Sequence, residues 1–358
     1  MHNERLKILR RMMQQNGLDA ILITSQANRY YISNFTGTYA RVIVDLHSQY
    51  VIADGRYFYQ LKEQSPDFEI IDDKMQISKT IADFVVQKDY KTFGVESKEM
   101  NVEEYLAIKE NTNTKIIPTS DFIEHLRMIK DPTEKQKIEK ADEISAKAFE
   151  HIKQFIHPGL TEKEVANELD NYGLKLGADS RAFETIVASG LRSSLPHGHA
   201  SQKIIQNNEP IIIDFGFKVD HYYSDVTRTI HLGKVKDQIH DIYEIDREAQ
   251  QKAIETCEIG KPLKEIDAAA RTVISKYGYG KYFLHGLGHG IGLTVHEYPL
   301  LNQSSSAVMK AGMTFTAEPG IYVENVGGVR IEDDLFMGED NKAHQLTHIT
   351  KEWDQLES

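Results

Sequence analysis

The sequence predicts an α/β chain of the α+β kind, folded as two domains. Three observations carry this. At 358 residues the chain is long for one ordinary hydrophobic core. Its first 125 residues alternate short apolar runs with helix-period segments. Past a long charged helix the rhythm changes to strands, several of which carry a carboxylate among apolar neighbours. Apolar residues at 40% and charged residues at 27% are ordinary for a folded chain. The net charge of −12 argues against nucleic acid or an anionic membrane as a general partner. No apolar run approaches the roughly 20 residues that cross a bilayer. The first residues lead into no secretory apolar core. Cys257 is the single cysteine, so no internal disulfide forms. A cytoplasmic protein is expected.

Leu6, Leu9 and Met13 mark the apolar face of a first helix that Gly17 ends. Its basic residues lie mostly off that face, so packing on its own domain is favoured over a membrane. Residues 20–24 read as a short buried strand. Residues 40–44 and 50–53 read as a strand pair, with further strands near 68–71 and 91–95. Helical patterns fill 57–64, 78–88 and 98–109. The run Arg29-Tyr30-Tyr31 either lines a pocket or packs the core. No cluster here joins histidine to several carboxylates, so the chemistry is expected elsewhere. The boundary falls near 120–130, giving domains 1–125 and 131–355.

Pro132 suits a helix start, and a charged helix is expected over 134–156. His157-Pro158-Gly159 stops it. Thr161 with Glu164 forms a capping box for the next helix, which ends by Gly177. Residues 183–188 read as a strand and 189–198 as an irregular loop. Ser193 and Ser194 lack the glycine elbow of a serine nucleophile. His197, between Pro196 and Gly198, cannot sit inside a regular helix; alone it reads as a surface histidine. Residues 211–216 form a buried strand that carries Asp214. A turn near 219–221 returns the chain as 222–230, carrying Asp225. A hairpin can bring both carboxylates to one point, where a cation must offset their repulsion. The alternative is that Asp225 pairs with Arg228 and Asp214 caps the strand end. Helices follow over 237–257 and 263–277, with Cys257 a buried small hydrophobe.

The stretch 285–297 holds His285, His289 and His296 among glycines at 286, 288, 290 and 292. Ile291 stands where a dinucleotide fingerprint needs its third glycine, and no Walker lysine follows. His296-Glu297 begins like a helical zinc motif, but Pro299 follows and no second histidine arrives. What remains is imidazole on a backbone free to turn tightly or to approach something closely. Two more strands deliver Glu318, just before Pro319-Gly320, and Glu332. Arg330 shares a face with Glu332 by the strand period. Thus four strands each deliver one awkward carboxylate: Asp214, Asp225, Glu318 and Glu332. Four carboxylates with one or two histidines balance two divalent cations. Oxygen-rich ligation suits Mn²⁺, with Fe²⁺, Co²⁺ or Zn²⁺ also able to bind.

These motifs resemble the creatinase and methionine-aminopeptidase superfamily, on its Xaa-Pro dipeptidase and aminopeptidase P branch. The resemblance is carried by Leu195-Pro196-His197-Gly198, Asp214-Phe215-Gly216 with Ser224-Asp225-Val226-Thr227-Arg228-Thr229, and Gly288-His289-Gly290-Ile291-Gly292 with His296-Glu297. Glu318-Pro319-Gly320 and Val329-Arg330-Ile331-Glu332 complete it. It implies a carboxy-terminal pita-bread catalytic domain behind a creatinase-type amino-terminal mixed α/β domain. It implies metal ligands at Asp214, Asp225, His289, Glu318 and Glu332, with Asp225 and Glu332 bridging two ions. Glu318 is then also the proton shuttle, and His197 and His296 contact substrate. His285 orients the site, and Arg330 fixes Glu332 or a substrate carboxylate, its shared face favouring the former. Asn208-Glu209-Pro210 departs from the family's usual Gly-Asp before the first ligand strand. The large amino-terminal domain favours the proline branch over the methionine-removing one. The resemblance also implies small proline-containing peptides as substrates and a homodimer. The reading leans slightly to an Xaa-Pro aminopeptidase, with a dipeptidase as the alternative and a non-catalytic binding module as a distant one.

Overall fold

A computed structural model describes residues 2–353 and 355–356. Met1 and Asp354, which the expected domain ranges take in, lie outside the described residues. The chain divides into two compact units, one up to Arg127 and one from Met128.

In the first unit, helix α1 (His2–Gln15) buries Leu6, Leu9 and Met13. Six strands form one mixed sheet: β1 (Ala20–Ile23), β2 (Arg41–Asp45), β3 (Gln49–Ala53), β4 (Glu69–Asp72), β5 (Thr92–Glu96) and β6 (Lys115–Thr119). Their order is β4-β3-β2-β1-β5-β6. β1 pairs antiparallel with β2 and parallel with β5. Helices α2 (Gln26–Ser33), α3 (Phe58–Gln64), α4 (Ile77–Gln87), α5 (Val102–Glu110) and α6 (Glu124–Arg127) connect them. α2 was not expected. The Ser25 side chain caps it by accepting from the Asn28 amide. Arg29 is buried in it, donating to the Ala40 and Thr38 carbonyls, so this cation serves the domain's packing.

The second unit starts with α7 (Pro132–Phe155), where Asp131 and Glu134 form a capping box, and α8 (Glu162–Lys175), capped as expected by Thr161 and Glu164. Strands β7 (Ser180–Arg181), β8 (Ile186–Ser189), β9 (Glu209–Phe215), β10 (Phe217–Val219), β11 (Tyr222–Tyr223) and β12 (Val226–Leu232) follow. Then come α9 (Asp237–Thr256) and α10 (Leu263–Lys276). The last stretch holds β13 (Gly288–Gly290), β14 (Glu297–Leu301), β15 (Thr314–Ala317), β16 (Gly320–Val323), β17 (Gly327–Arg330), β18 (Asp333–Met337), β19 (Ala343–Gln345) and β20 (Gln355–Leu356). One sheet runs β20-β12-β9-β8 and another β14-β13-β15-β18-β19. The first is backed by α7 and α8, with Phe149, Ile152 and Leu169 packed on Ile213, Phe215 and Val226. The second is backed by α9 and α10, with Ile242, Ala249 and Ile266 packed on Phe315 and Leu335. Among the described residues no helix is long and apolar enough to cross a membrane.

The expectation of one carboxylate per strand needs correction. Asp214 does lie within β9, opposite Thr227 of β12. Asp225 falls in the gap between β11 and β12, Glu318 between β15 and β16, and Glu332 between β17 and β18. The cause is in the backbone. The Asp225 amide donates to the Asp334 carboxylate, the Glu318 amide to the Leu287 carbonyl and the Glu332 amide to the Thr227 carbonyl. The Asp225 and Glu332 N–H groups have left their own hairpin ladders, while the Glu318 N–H continues the β13–β15 register by one last bond before Pro319 ends the strand.

Candidate active site

His197, Asp214, Asp225, His285, His289, His296, Glu318, Arg330 and Glu332 all line one cavity of about 410 Å³. A larger groove of about 860 Å³ along α9 contains none of them. The imidazole of His289 is at the centre. Its Nε2 lies 3.2 Å from Glu318 Oε1 and 3.7 Å from Asp225 Oδ2. Its Nδ1 faces the Gly290 carbonyl at 3.1 Å, which assigns a proton to Nδ1; Nε2 faces the carboxylates, donating to Glu318 when the ring is protonated and offering its lone pair to a cation when it is neutral. Close backbone approach explains the glycine at 290: a Cβ there would lie 2.1 Å from the Tyr298 carbonyl oxygen.

Arg330 is not bonded to Glu332. Its guanidinium donates to Asp214 Oδ2 at 2.6 Å, to the Tyr322 hydroxyl at 2.8 Å and to Thr227 Oγ1 at 3.0 Å. Thr227 Oγ1 in turn donates to Glu332 Oε2 at 2.6 Å, so the cation reaches Glu332 through a hydroxyl. The strand period fails here because β17 ends at Arg330. His285 also acts through a neighbour. Its Nδ1 faces the Gly286 carbonyl at 2.9 Å and its Nε2 the Tyr322 hydroxyl at 3.0 Å. Tyr322 therefore links His285 to Arg330. His296 lies against His289, their ring centres 4.2 Å apart and their planes tilted by 44°.

Tyr322, Thr227 and Thr316 were not singled out from the sequence. Thr316 Oγ1 donates to Glu318 Oε1 at 3.0 Å and accepts from the His289 amide. Thr227 had a legible signal, since it follows Asp225 by the strand period. Tyr322 had none, because its partners lie eight and 37 residues away.

The electrostatics describe a site built for cations. Burial pushes the Asp225 and Glu332 carboxyls well above their ordinary values, and neighbouring carboxylates add to it. Burial also raises Asp214, although Arg330 opposes it. Burial would lower His289, but its hydrogen bond to Glu318 and that carboxylate's charge outweigh this and raise it. Burial lowers His285 and His296, which favours their neutral forms. Asp214 Oδ1 is buried with no hydrogen-bond partner among the described residues. Ligand atoms of Asp225, His289 and Glu332 lie within 4.8 Å of one another. Hard oxygens, one imidazole with its Nε2 turned inward and an orphaned carboxylate oxygen suit a divalent cation.

Residues 136–339 match the family described as Metallopeptidase family M24. The chain belongs to that family. Residues 5–129 match the Creatinase/Prolidase N-terminal domain. This family member is a metal-dependent peptidase, with a creatinase-type domain ahead of a pita-bread catalytic domain. It is 40% identical to the Xaa-Pro dipeptidase of Pyrococcus furiosus, over 98% of this chain and 99% of that one. The solved Xaa-Pro dipeptidase from Bacillus anthracis superposes with a TM-score of 0.96 at 39% identity, covering 100% of both chains. The solved X-Pro aminopeptidase from Thermotoga maritima gives 0.88 at 35%, covering 97% of this chain and 100% of that one.

Proposed function

We propose that this M24 peptidase is an Xaa-Pro dipeptidase that uses two divalent metal ions, Mn²⁺ first among them. The observation that carries the reading is the convergence of Asp214, Asp225, Glu318 and Glu332 on His289 in one buried cavity. Those five residues would hold the metal, and four carboxylates match the charge of two divalent ions. The sequence alone leans to longer peptides. The near-full-length likeness to two proteins named Xaa-Pro dipeptidases moves the reading to the dipeptide. The Thermotoga likeness favours the aminopeptidase as the second reading. A cavity of about 410 Å³ suits a small ligand. We also propose a homodimer in the cytoplasm, with domains at 1–125 and 131–355.

Bound divalent metal supplies Lewis acidity and makes water a stronger nucleophile near neutral pH. Glu318 accepts the proton from the attacking water and delivers it to the proline nitrogen as that bond breaks. His197 and His296 donate hydrogen bonds to the carbonyl oxygen as it gains charge. Arg330 holds Asp214 in place, and Thr227 holds Glu332. His285 orients Tyr322, which steadies Arg330.

The test compares kcat/KM for one Xaa-Pro dipeptide with the same pair extended by two or three residues. A preference of about tenfold or more for the dipeptide is expected, a difference of ~1.4 kcal/mol in transition-state binding. The reverse preference would make the protein an aminopeptidase. No hydrolysis with Mn²⁺, Co²⁺, Zn²⁺ or Fe²⁺ would return it to the binding-module class. Anomalous scattering from Mn²⁺-grown crystals checks for two adjacent ions, and sedimentation at micromolar concentration checks the dimer.

A further inference from the structure

One charged pair in the catalytic unit takes no part in the mechanism above. Lys130 Nζ lies 2.6 Å from Glu297 Oε1, and the two side chains are 1% and 4% exposed. A buried ion pair adds little net stability over apolar packing, whereas removing one partner is costly. Lys130 is anchored from behind: its amide donates to the Gly312 carbonyl at 2.8 Å, and Ile129 bridges to Met313 just before β15. Glu297 is the residue after His296 and begins β14.

The loop between β13 and β14 is folded around that carboxylate. Glu297 Oε2 accepts from the Thr294 hydroxyl at 3.3 Å and from the Thr294 amide at 3.4 Å. The same hydroxyl contacts the His296 carbonyl at 3.1 Å, and the Gly292 amide donates to the Thr294 carbonyl. A Cβ at Gly292 would stand 2.6 Å from Glu297 Oε1 and 3.0 Å from Lys130 Cε. Glycine at 292 is therefore where the loop closes over the pair.

We infer that Lys130 is a positioning residue: its buried pair with Glu297 holds the 291–297 loop so that His296 stays over His289 in the cavity. A loop of this length, with Gly292 inside it, would otherwise spread over several conformations. The catalytic part of the inference rests on the reading of His296 as a substrate contact.

The test uses the full-length, metal-loaded protein with Lys130→Met, His296→Ala and the double variant. In Lys130→Met, amide exchange across 291–298 should rise by about tenfold or more. Its kcat should fall about tenfold with a smaller change in KM, at wild-type metal content. In the His296→Ala background the same substitution should lower kcat no further, since coupled residues are non-additive. Unchanged exchange across 291–298 in folded Lys130→Met overturns the brace whatever the activity. Loss of metal, or an equal fall in both backgrounds, overturns the route through His296. Wild-type kcat in His296→Ala instead sinks the reading of His296, while exchange still decides the brace. If Lys130→Met fails to fold, Glu297→Gln, which keeps the acceptor oxygen, is judged by the same exchange and kinetic criteria.

Discussion

At the scale of the residue, the proposed function gives Glu318 two tasks that pull in different directions. As a ligand it must stay ionised, and as a proton carrier it must take up a proton briefly. Although burial pushes its carboxyl up, the His289 hydrogen bond and charge bring it below the ordinary carboxylate range. Thr316 adds a hydroxyl donor to the same oxygen. Glu318→Gln keeps the shape and removes the base. It should lower kcat by at least ~10²-fold, an ordinary size for loss of a general base. Near-normal turnover at full metal content would take the proton away from Glu318. The carboxylates of the cavity were legible at this scale because ionisable residues within or beside apolar strands violate a cost that backbone pattern alone cannot excuse. What could not be read was who holds whom. Arg330 shares a face with Glu332 in sequence, yet its shortest bond is to Asp214, 116 residues away. That pairing depends on strands brought side by side by the fold.

At the scale of the element, most helices and strands fell within a few residues of where periodicity put them. α2 and β6 did not. α2 has eight residues and buries Arg29, so its apolar face is not clean. β6 is a half-exposed edge strand containing Pro118, a position proline tolerates but which weakens the pattern. The strand break before Glu332 is held from behind by α9. Asp246 Oδ2 accepts from the Ile331 amide at 3.1 Å, and Gln250, one turn on, donates to the Ala317 and Ile331 carbonyls. Burial pushes the Asp246 carboxyl well above its ordinary value. A raised folded value means the folded protein keeps a proton that the unfolded chain releases near pH 4. This stabilises the fold fully below the unfolded value and is lost as pH rises toward the folded one. Asp246→Asn keeps an acceptor for Ile331 and removes the titration. Its stability relative to wild type should therefore improve between about pH 5 and pH 7, by up to ~1.4 kcal/mol per pH unit. Urea unfolding of metal-free protein at both pH values measures this, and a pH-independent difference would refute it.

At the scale of the whole molecule, the catalytic unit gathers negative charge at its centre in a chain that is already acidic, at net −12. Asp214 and Asp225 come from one segment, Glu318 and Glu332 from another that begins 93 residues after Asp225, and all four meet in one cavity. Such a centre is stable in two ways. Either protons neutralise it, as the upward shifts of Asp225 and Glu332 indicate, or cations do. Metal should then act as part of the fold as well as of the chemistry. Dialysis against EDTA should abolish peptide hydrolysis and lower the melting temperature, and a divalent ion should restore both. With free metal at about a hundred times its dissociation constant the stabilisation is ~2.7 kcal/mol. For a unit of this size that corresponds to roughly 5–10 °C. The sign of its pH dependence is fixed. In the metal-free protein the raised carboxyls take up protons as pH falls, which relieves their repulsion. The gain from metal should therefore grow from about pH 5 to about pH 8, as deprotonation makes the empty cluster costlier and the ligands better. Equal melting temperatures with and without metal across that range would show that the carboxylates are held together by protein contacts alone.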